Sequence, residues 1–273
     1  MRNELQKIGA AFILFTRLPW HRLFKVEESY FAHAAANWPF VGWLTGSLMG
    51  IVLWLAAGIM PIGAAVMTAL GFRVLLTGAL HEDGLADYFD GMGGGRNREQ
   101  TLRIMKDSHI GTYGTLGLIV YFLLLYNLMQ EMFGAIYINA DNSLRNIIFI
   151  TLTADVWSKC CSSILIALLP YARNTEEAKI QTVYAPMSRI HILRIAVAML
   201  PSIILMLVII PESSMLGIVA PILTAFLVML FLAMQMHRRL KGYTGDCCGA
   251  TFLLCELSFY LSLMFIVTIP SWT

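Results

Sequence analysis

Apolar positions in this 273-residue chain gather into long runs near residues 38–58, 61–81, 112–133, 146–169, 193–211, 214–236 and 250–270. Each is close to the roughly 20 residues a helix needs to cross a hydrocarbon core, so the pattern predicts seven transmembrane helices. The connections at Met60-Pro61 and Pro211-Glu212-Ser213 are very short, and each flanking pair is expected to form an antiparallel hairpin. The opening stretch MRNELQKIGAAFILFTRLPW has a basic start but a short apolar run and no small-residue cleavage site. It predicts an amphipathic helix in the membrane interface. Repeats, low-complexity tracts and an extramembrane domain are absent from the pattern, which gives one all-α, membrane-embedded domain over residues 1–273.

Composition agrees: 58% of residues are hydrophobic and 13% charged, against roughly 25% charged in a soluble domain. A net charge of +2 provides no global basic field, so nucleic acid is not an expected partner. Charge placement says more. Four basic regions hold 16 of the 19 Lys and Arg residues: the arm with Arg2, Lys7, Arg17, Arg22 and Lys25; Arg96, Arg98, Arg103 and Lys106; Arg173, Lys179, Arg189 and Arg194; and Arg238, Arg239 and Lys241. Seven spans place all four on one side, which predicts a cytoplasmic N-terminus and a C-terminus across the membrane. The five cysteines form two adjacent pairs and no CxxC, so they read as small buried apolar side chains.

One segment concentrates the chemistry: HEDGLADYFDGMGGG, His81 to Gly95, expected in the first long loop. Asp83, Asp87 and Asp90 are spaced i, i+4, i+7, which on a helix aligns three carboxylates, and Glu82 adds a fourth acid. At about 6 Å each like-charged pair costs on the order of 3 kcal/mol, so the cluster calls for a cation. Oxygen ligands favour Mg²⁺ or Mn²⁺, and EF-hand spacing is missing. Gly84, Gly91, Gly93, Gly94 and Gly95 would let backbone and phosphate approach closely. The bland alternative is a solvated acidic loop.

Arg96, Arg98, Arg103 and Lys106 follow at once, and cations beside a divalent-metal cluster suit phosphoryl transfer, whose transition state spreads charge over phosphate oxygens. They could equally serve topology alone. Asp246, between glycines at the start of the last span, is a further candidate metal ligand. Glu256, Arg73 and the i, i+4 pair Asp155 and Lys159 are ionisable groups inside spans, and so functional candidates or mutually neutralising partners.

These motifs resemble the cobalamin synthase family, the adenosylcobinamide-GDP ribazoletransferases. The resemblance rests on FTRLPW (Phe15 to Trp20), WPFVGWLTG (Trp38 to Gly46), HEDGLADYFDG (His81 to Gly91), IMKDSHIGTYG (Ile104 to Gly114), LLPYAR (Leu168 to Arg173) and GYTGDCCGA (Gly242 to Ala250). Two departures stand out: Trp157-Ser158-Lys159 replaces the usual Ser-Arg, and His109 stands where arginine is common. The resemblance implies a Mg²⁺-dependent inner-membrane enzyme facing the cytoplasm. It would join adenosylcobinamide-GDP to α-ribazole or its 5′-phosphate, giving adenosylcobalamin or its 5′-phosphate and releasing GMP. On this reading Glu82, Asp83, Asp87, Asp90 and Asp246 are the metal ligands. His81 or a carboxylate takes the hydroxyl proton, and Arg17, Gly93, Gly94, Arg96, Arg98, Arg103, Lys106 and Asp107 contact substrate.

The acidic motif also resembles that of the CDP-alcohol phosphotransferases at the level of chemistry, without their second aspartate pair. Implied partners are the two substrates, the lipid bilayer, other late cobalamin-pathway enzymes and a second copy of the chain. The rival readings are an ion-coupled transporter with an acidic cation site, which lacks its usual repeat, and a non-catalytic scaffold, which leaves the DGLADYFDG spacing unexplained.

Overall fold

A computed structural model describes residues 2–139, 142–173, 187–209 and 216–268. The expected turn at Pro211-Glu212-Ser213, Lys179 and the end of the last span lie outside them. The described chain is a polytopic helical membrane bundle. Its helices are α1 (Arg2–Phe15), α2 (Trp38–Ala57), α3 (Ile62–Thr77), α4 (Leu80–Gly94), α5 (Arg98–Ile104), α6 (Thr112–Asn139), α7 (Ser143–Leu168), α8 (Arg189–Ile209), α9 (Leu216–Leu240) and α10 (Gly245–Thr268). A 3₁₀ segment, Glu28–Asn37, leads into α2.

Among the described residues six helices are long and apolar enough to cross a membrane, or seven if α3 and α4 count as one bent span. That pair takes up the span expected over 61–81, and it is bent. Gly78 (φ 69°) and Ala79 (φ 57°) are both left-handed, and α4 leaves α3 at 90°. The acidic segment expected in a loop is therefore helix α4, packed against α6 and α10.

α7 is the axis of the bundle. Every residue from Thr151 to Ser163 is buried, so this helix has neighbours on all sides. α2 lies directly on it through Gly42, Gly46 and Gly50: a Cβ there would sit 2.9 Å from Val156 Cα, 2.7 Å from Leu152 Cα and 2.9 Å from Ile148 Cα respectively. Such a stripe of small residues replaces the hydrophobic drive that lipid cannot supply. α6 and α8 turn Leu116, Ile119, Leu123, Leu193, Leu200 and Ile204 outward, the surface lipid would cover.

Charges inside the bundle are paired. Arg73 Nη1 donates to Glu256 at 2.5 Å, Arg73 Nη2 donates to Tyr121 Oη at 3.1 Å and lies 3.4 Å from Glu82, and Tyr121 Oη donates to Glu256 at 3.0 Å. Separately, Lys159 donates to Asp155, whose other oxygen accepts from Thr45 Oγ1 at 2.9 Å, and the ammonium lies 4.2 Å from the centre of the Phe252 ring. Both sets are the mutual neutralisation that buried charges require.

Candidate active site

α4 brings its acids to two different places. Asp83 is exposed on the α4 face toward the start of α10, and Asp87, half-buried, follows one turn later. Asp83 and Asp246 line one cavity of about 140 Å³. They meet because α4 and α10 touch through backbone: a Cβ on Gly84 would lie 3.1 Å from Asp246 Cα and 3.4 Å from Gly249 Cα. No larger residue could hold these helices so close.

Asp90 is turned away from that cavity. It is buried, and its two oxygens accept from the backbone N–H groups of Gly111 (2.7 Å) and Gly114 (2.8 Å). Its carboxylate thus fastens the start of α6 to α4. Glu82, a quarter-turn off the aspartate face, is buried beside Arg73. The five acids expected around one metal are therefore divided among three environments. Among the described residues no group of three or more His, Cys, Asp and Glu side chains is arranged to hold a metal ion.

His81 lines the cavity but is 2% exposed, its ring set 5.3 Å from Trp38 and 4.7 Å from Phe252, centre to centre. Its Nε2 has no hydrogen-bond partner among the described residues. Leu14, Phe15, Ala35, Leu80 and Ile166 complete most of the wall, so the chamber is apolar except at Asp83, Asp246 and His81.

A second recess, about 330 Å³, is cationic. Arg98, Arg103, Lys106 and Arg173 line it with Glu99, Leu102 and Ala172. The expected phosphate-binding cations divide here. Arg98 is committed to carbonyls, donating to Leu240 O (2.9 Å) and Ala172 O (2.6 Å), which staples α5 to the end of α9. Arg103 and Lys106 are exposed, as is Arg96. Arg17 is exposed, its backbone N–H donating to Leu76 O at 2.8 Å while its side chain lies over Gly78 at the bend. Asp107 turns back locally, accepting from His109 N (3.0 Å) and Nδ1 (2.8 Å); the His109 backbone N–H and then its ring hold this carboxylate below its usual range.

The terminal glycines of α4 serve packing. A Cβ on Gly93 would enter the Tyr113 ring, and one on Gly94 would reach Ile104 at 3.4 Å. Arg239 closes the same helix end by donating to Gly95 O at 2.6 Å.

Arg173 is the residue that sequence reasoning placed only among topological charges. Its side chain is 5% exposed, its Nη2 lies 3.6 Å from Asp246 Oδ2 and donates to Leu102 O at 3.3 Å, and its Nε has no partner among the described residues. It stands where the acidic cavity and the cationic cleft adjoin. The LLPYAR and GYTGD motifs meet there: Ala172 N donates to Tyr243 O (2.8 Å) and Tyr243 N to Pro170 O (2.9 Å). Two motifs with matching polar ends were the available signal.

The profile of the cobalamin-5-phosphate synthase family matches residues 7–264. The chain is 34% identical over 271 residues to an adenosylcobinamide-GDP ribazoletransferase from Shewanella sp. (strain W3-18-1), covering 98% of this chain and 97% of that one. It is 35% identical over 269 residues to the protein of that name from Shewanella sp. (strain ANA-3), at 98% and 97% coverage. With the Shewanella oneidensis protein it shares 34% over 264 residues, at 96% and 95% coverage. No solved structure gives a significant match.

Proposed function

The chain belongs to the cobalamin-5-phosphate synthase family, and on that footing we propose that it is an adenosylcobinamide-GDP ribazoletransferase. A ribose hydroxyl of α-ribazole, or of its 5′-phosphate, attacks the phosphorus on the cobinamide side of the diphosphate. The bond from that phosphorus to the bridging oxygen breaks, and GMP leaves with the electron pair. The observation that carries this reading is the junction of Asp83 and Asp246 with Arg173 and the cationic cleft.

In this assignment Arg103, Lys106 and Arg173 bind the diphosphate, and Arg17 supplies a further exposed cation beside the bend. Holding the phosphates fixed against the acceptor turns a bimolecular encounter into a positioned one. A base must reach the proton it removes, so a carboxylate at the open mouth of the cavity is better placed for the hydroxyl proton than the enclosed His81. Arg98 and Asp90 act indirectly, by fixing α5 and the start of α6.

Mg²⁺ is the proposed cofactor. Its coordination habit fits the residues present, because Mg²⁺ is commonly bound by one or two carboxylates together with substrate phosphates and water. Asp83 and Asp246 would hold it, with Asp87 next along the same face; when bound it offsets charge on the diphosphate oxygens. We place the site on the cytoplasmic side of the inner membrane, following the basic regions.

The test is GMP release from adenosylcobinamide-GDP in the presence of α-ribazole or its 5′-phosphate, with and without Mg²⁺. Asp83→Asn should lower turnover at least about a hundredfold, as loss of a charge-stabilising group does, and stay folded in detergent. Wild-type turnover in that variant would sink the assignment. For sidedness, a cysteine at Asn97 should label only from the cytoplasm.

A further inference from the structure

Resting on that reading, we propose that the apolar cavity between α1, α4, α7 and α10 is the seat of the acceptor's aromatic base, the dimethylbenzimidazole ring of α-ribazole, while the cationic cleft takes the donor's diphosphate. The two substrates would then enter from opposite sides of the Asp246–Arg173 pair.

Size comes first. The chamber, at about 140 Å³, is comparable to an apolar protein cavity of about 150 Å³ that takes up benzene. A chamber of that size admits an aromatic ring and excludes a corrin. Chemistry then separates the two bases on offer. Phe15, Trp38, Leu14, Leu80 and Ile166 present carbon surface, whereas guanine carries donors and acceptors along its edges that would lose water without compensation there. Dimethylbenzimidazole exposes two methyl groups and one unsubstituted ring nitrogen. Trp38 Nε1 and His81 Nε2, both in wall residues, have no hydrogen-bond partner among the described residues, and buried groups of that kind call for an explanation. The enclosed Trp38 N–H donates only, and a ring nitrogen that accepts would answer it on a small shift of the indole; His81 Nε2 would do so only in the tautomer that carries its proton.

Orientation follows. A base seated against Trp38 and His81 leaves its ribose at the mouth, where Asp83 and Asp246 stand. Asp246 in turn touches Arg173, which lines the cleft for the phosphates. The reacting hydroxyl and phosphorus thus meet at the boundary of an apolar and a cationic compartment, and acceptor selectivity resides in the walls of the first.

The experiment fills the cavity. Leu14→Trp, with Leu80→Trp at the 40% exposed rim as a second variant, should raise the KM for α-ribazole about tenfold or more and leave that for adenosylcobinamide-GDP within about twofold. Calorimetric titration of α-ribazole alone into detergent-solubilised protein should show the same weakening. Free 5,6-dimethylbenzimidazole should compete with α-ribazole in the wild type. An unchanged α-ribazole KM and affinity in both folded variants, or a rise confined to the donor KM, overturns the proposal. Wild-type protein that makes no product from the two substrates would instead defeat the transferase reading.

Discussion

Arg73 on α3 and Glu256 on α10, 183 residues apart, form an ion pair of 2.5 Å with side chains 1% and 0% exposed. The pair ties the helix that ends at the bend to the helix that carries Asp246. Removing one member leaves the other charge buried, which typically costs roughly 3–5 kcal/mol. Glu256→Ala should therefore lower the unfolding midpoint in detergent strongly, and Glu256→Gln, which keeps an acceptor for Arg73, should lower it less. Equal midpoints for the two variants would argue against the ion pair as the tie.

Asp90 provides a test of fold against ligand. Its two accepted hydrogen bonds involve a carboxylate, and bonds to charged groups contribute about 1.5–3 kcal/mol each. Asp90→Ala should destabilise the protein and speed amide hydrogen exchange at Gly111 and Gly114. Asp90→Asn should recover part of the protection. The Mg²⁺ concentration giving half-maximal activity should shift in Asp83→Asn and not in Asp90→Asn.

The left-handed bend is a third point of sensitivity. At Gly78 a side chain meets both an unfavourable backbone region and the Arg17 side chain. Gly78→Val should cost about 1–3 kcal/mol, read by thermal unfolding. Activity per folded molecule should also fall, since the bend positions both the Arg17 side chain and the start of α4.

The arginines of the cleft should separate by role. Arg98→Ala removes two bonds to carbonyls and should reduce stability, whereas Arg103→Ala should leave the midpoint nearly unchanged and raise the donor KM. Arg173→Lys keeps the charge but cannot reach both Asp246 and Leu102 O with one planar fork. Its donor KM should rise on the order of tenfold. A wild-type donor KM in both Arg103→Ala and Arg173→Lys would remove the cleft from the site.

The span pattern was legible because lipid requires each helix to satisfy its own backbone hydrogen bonds, so hydropathy alone marks it. Five of the seven expected runs correspond closely to α2, α6, α7, α9 and α10, and the described part of α8 matches a sixth. The remaining run gives no sign of its bend because Gly78 and Ala79 interrupt no hydropathy; only the backbone angles reveal the turn.

The acidic segment was likewise visible as residue types and spacing. Which acids share a space was not. Asp83 and Asp246 stand 163 positions apart, and their meeting depends on Gly84 letting two helix backbones touch. Asp90, on the same predicted face as Asp83, is taken up by two amides from α6 and its approach. Arg173 joins the candidate site through a contact between two distant motifs. Local periodicity and composition determined the helices and their apolar lengths, since these depend on the solvent each segment meets. Tertiary structure alone decided the partition of charge into paired, capping and cavity-facing groups, because that depends on which helix surfaces approach closely enough to exclude water.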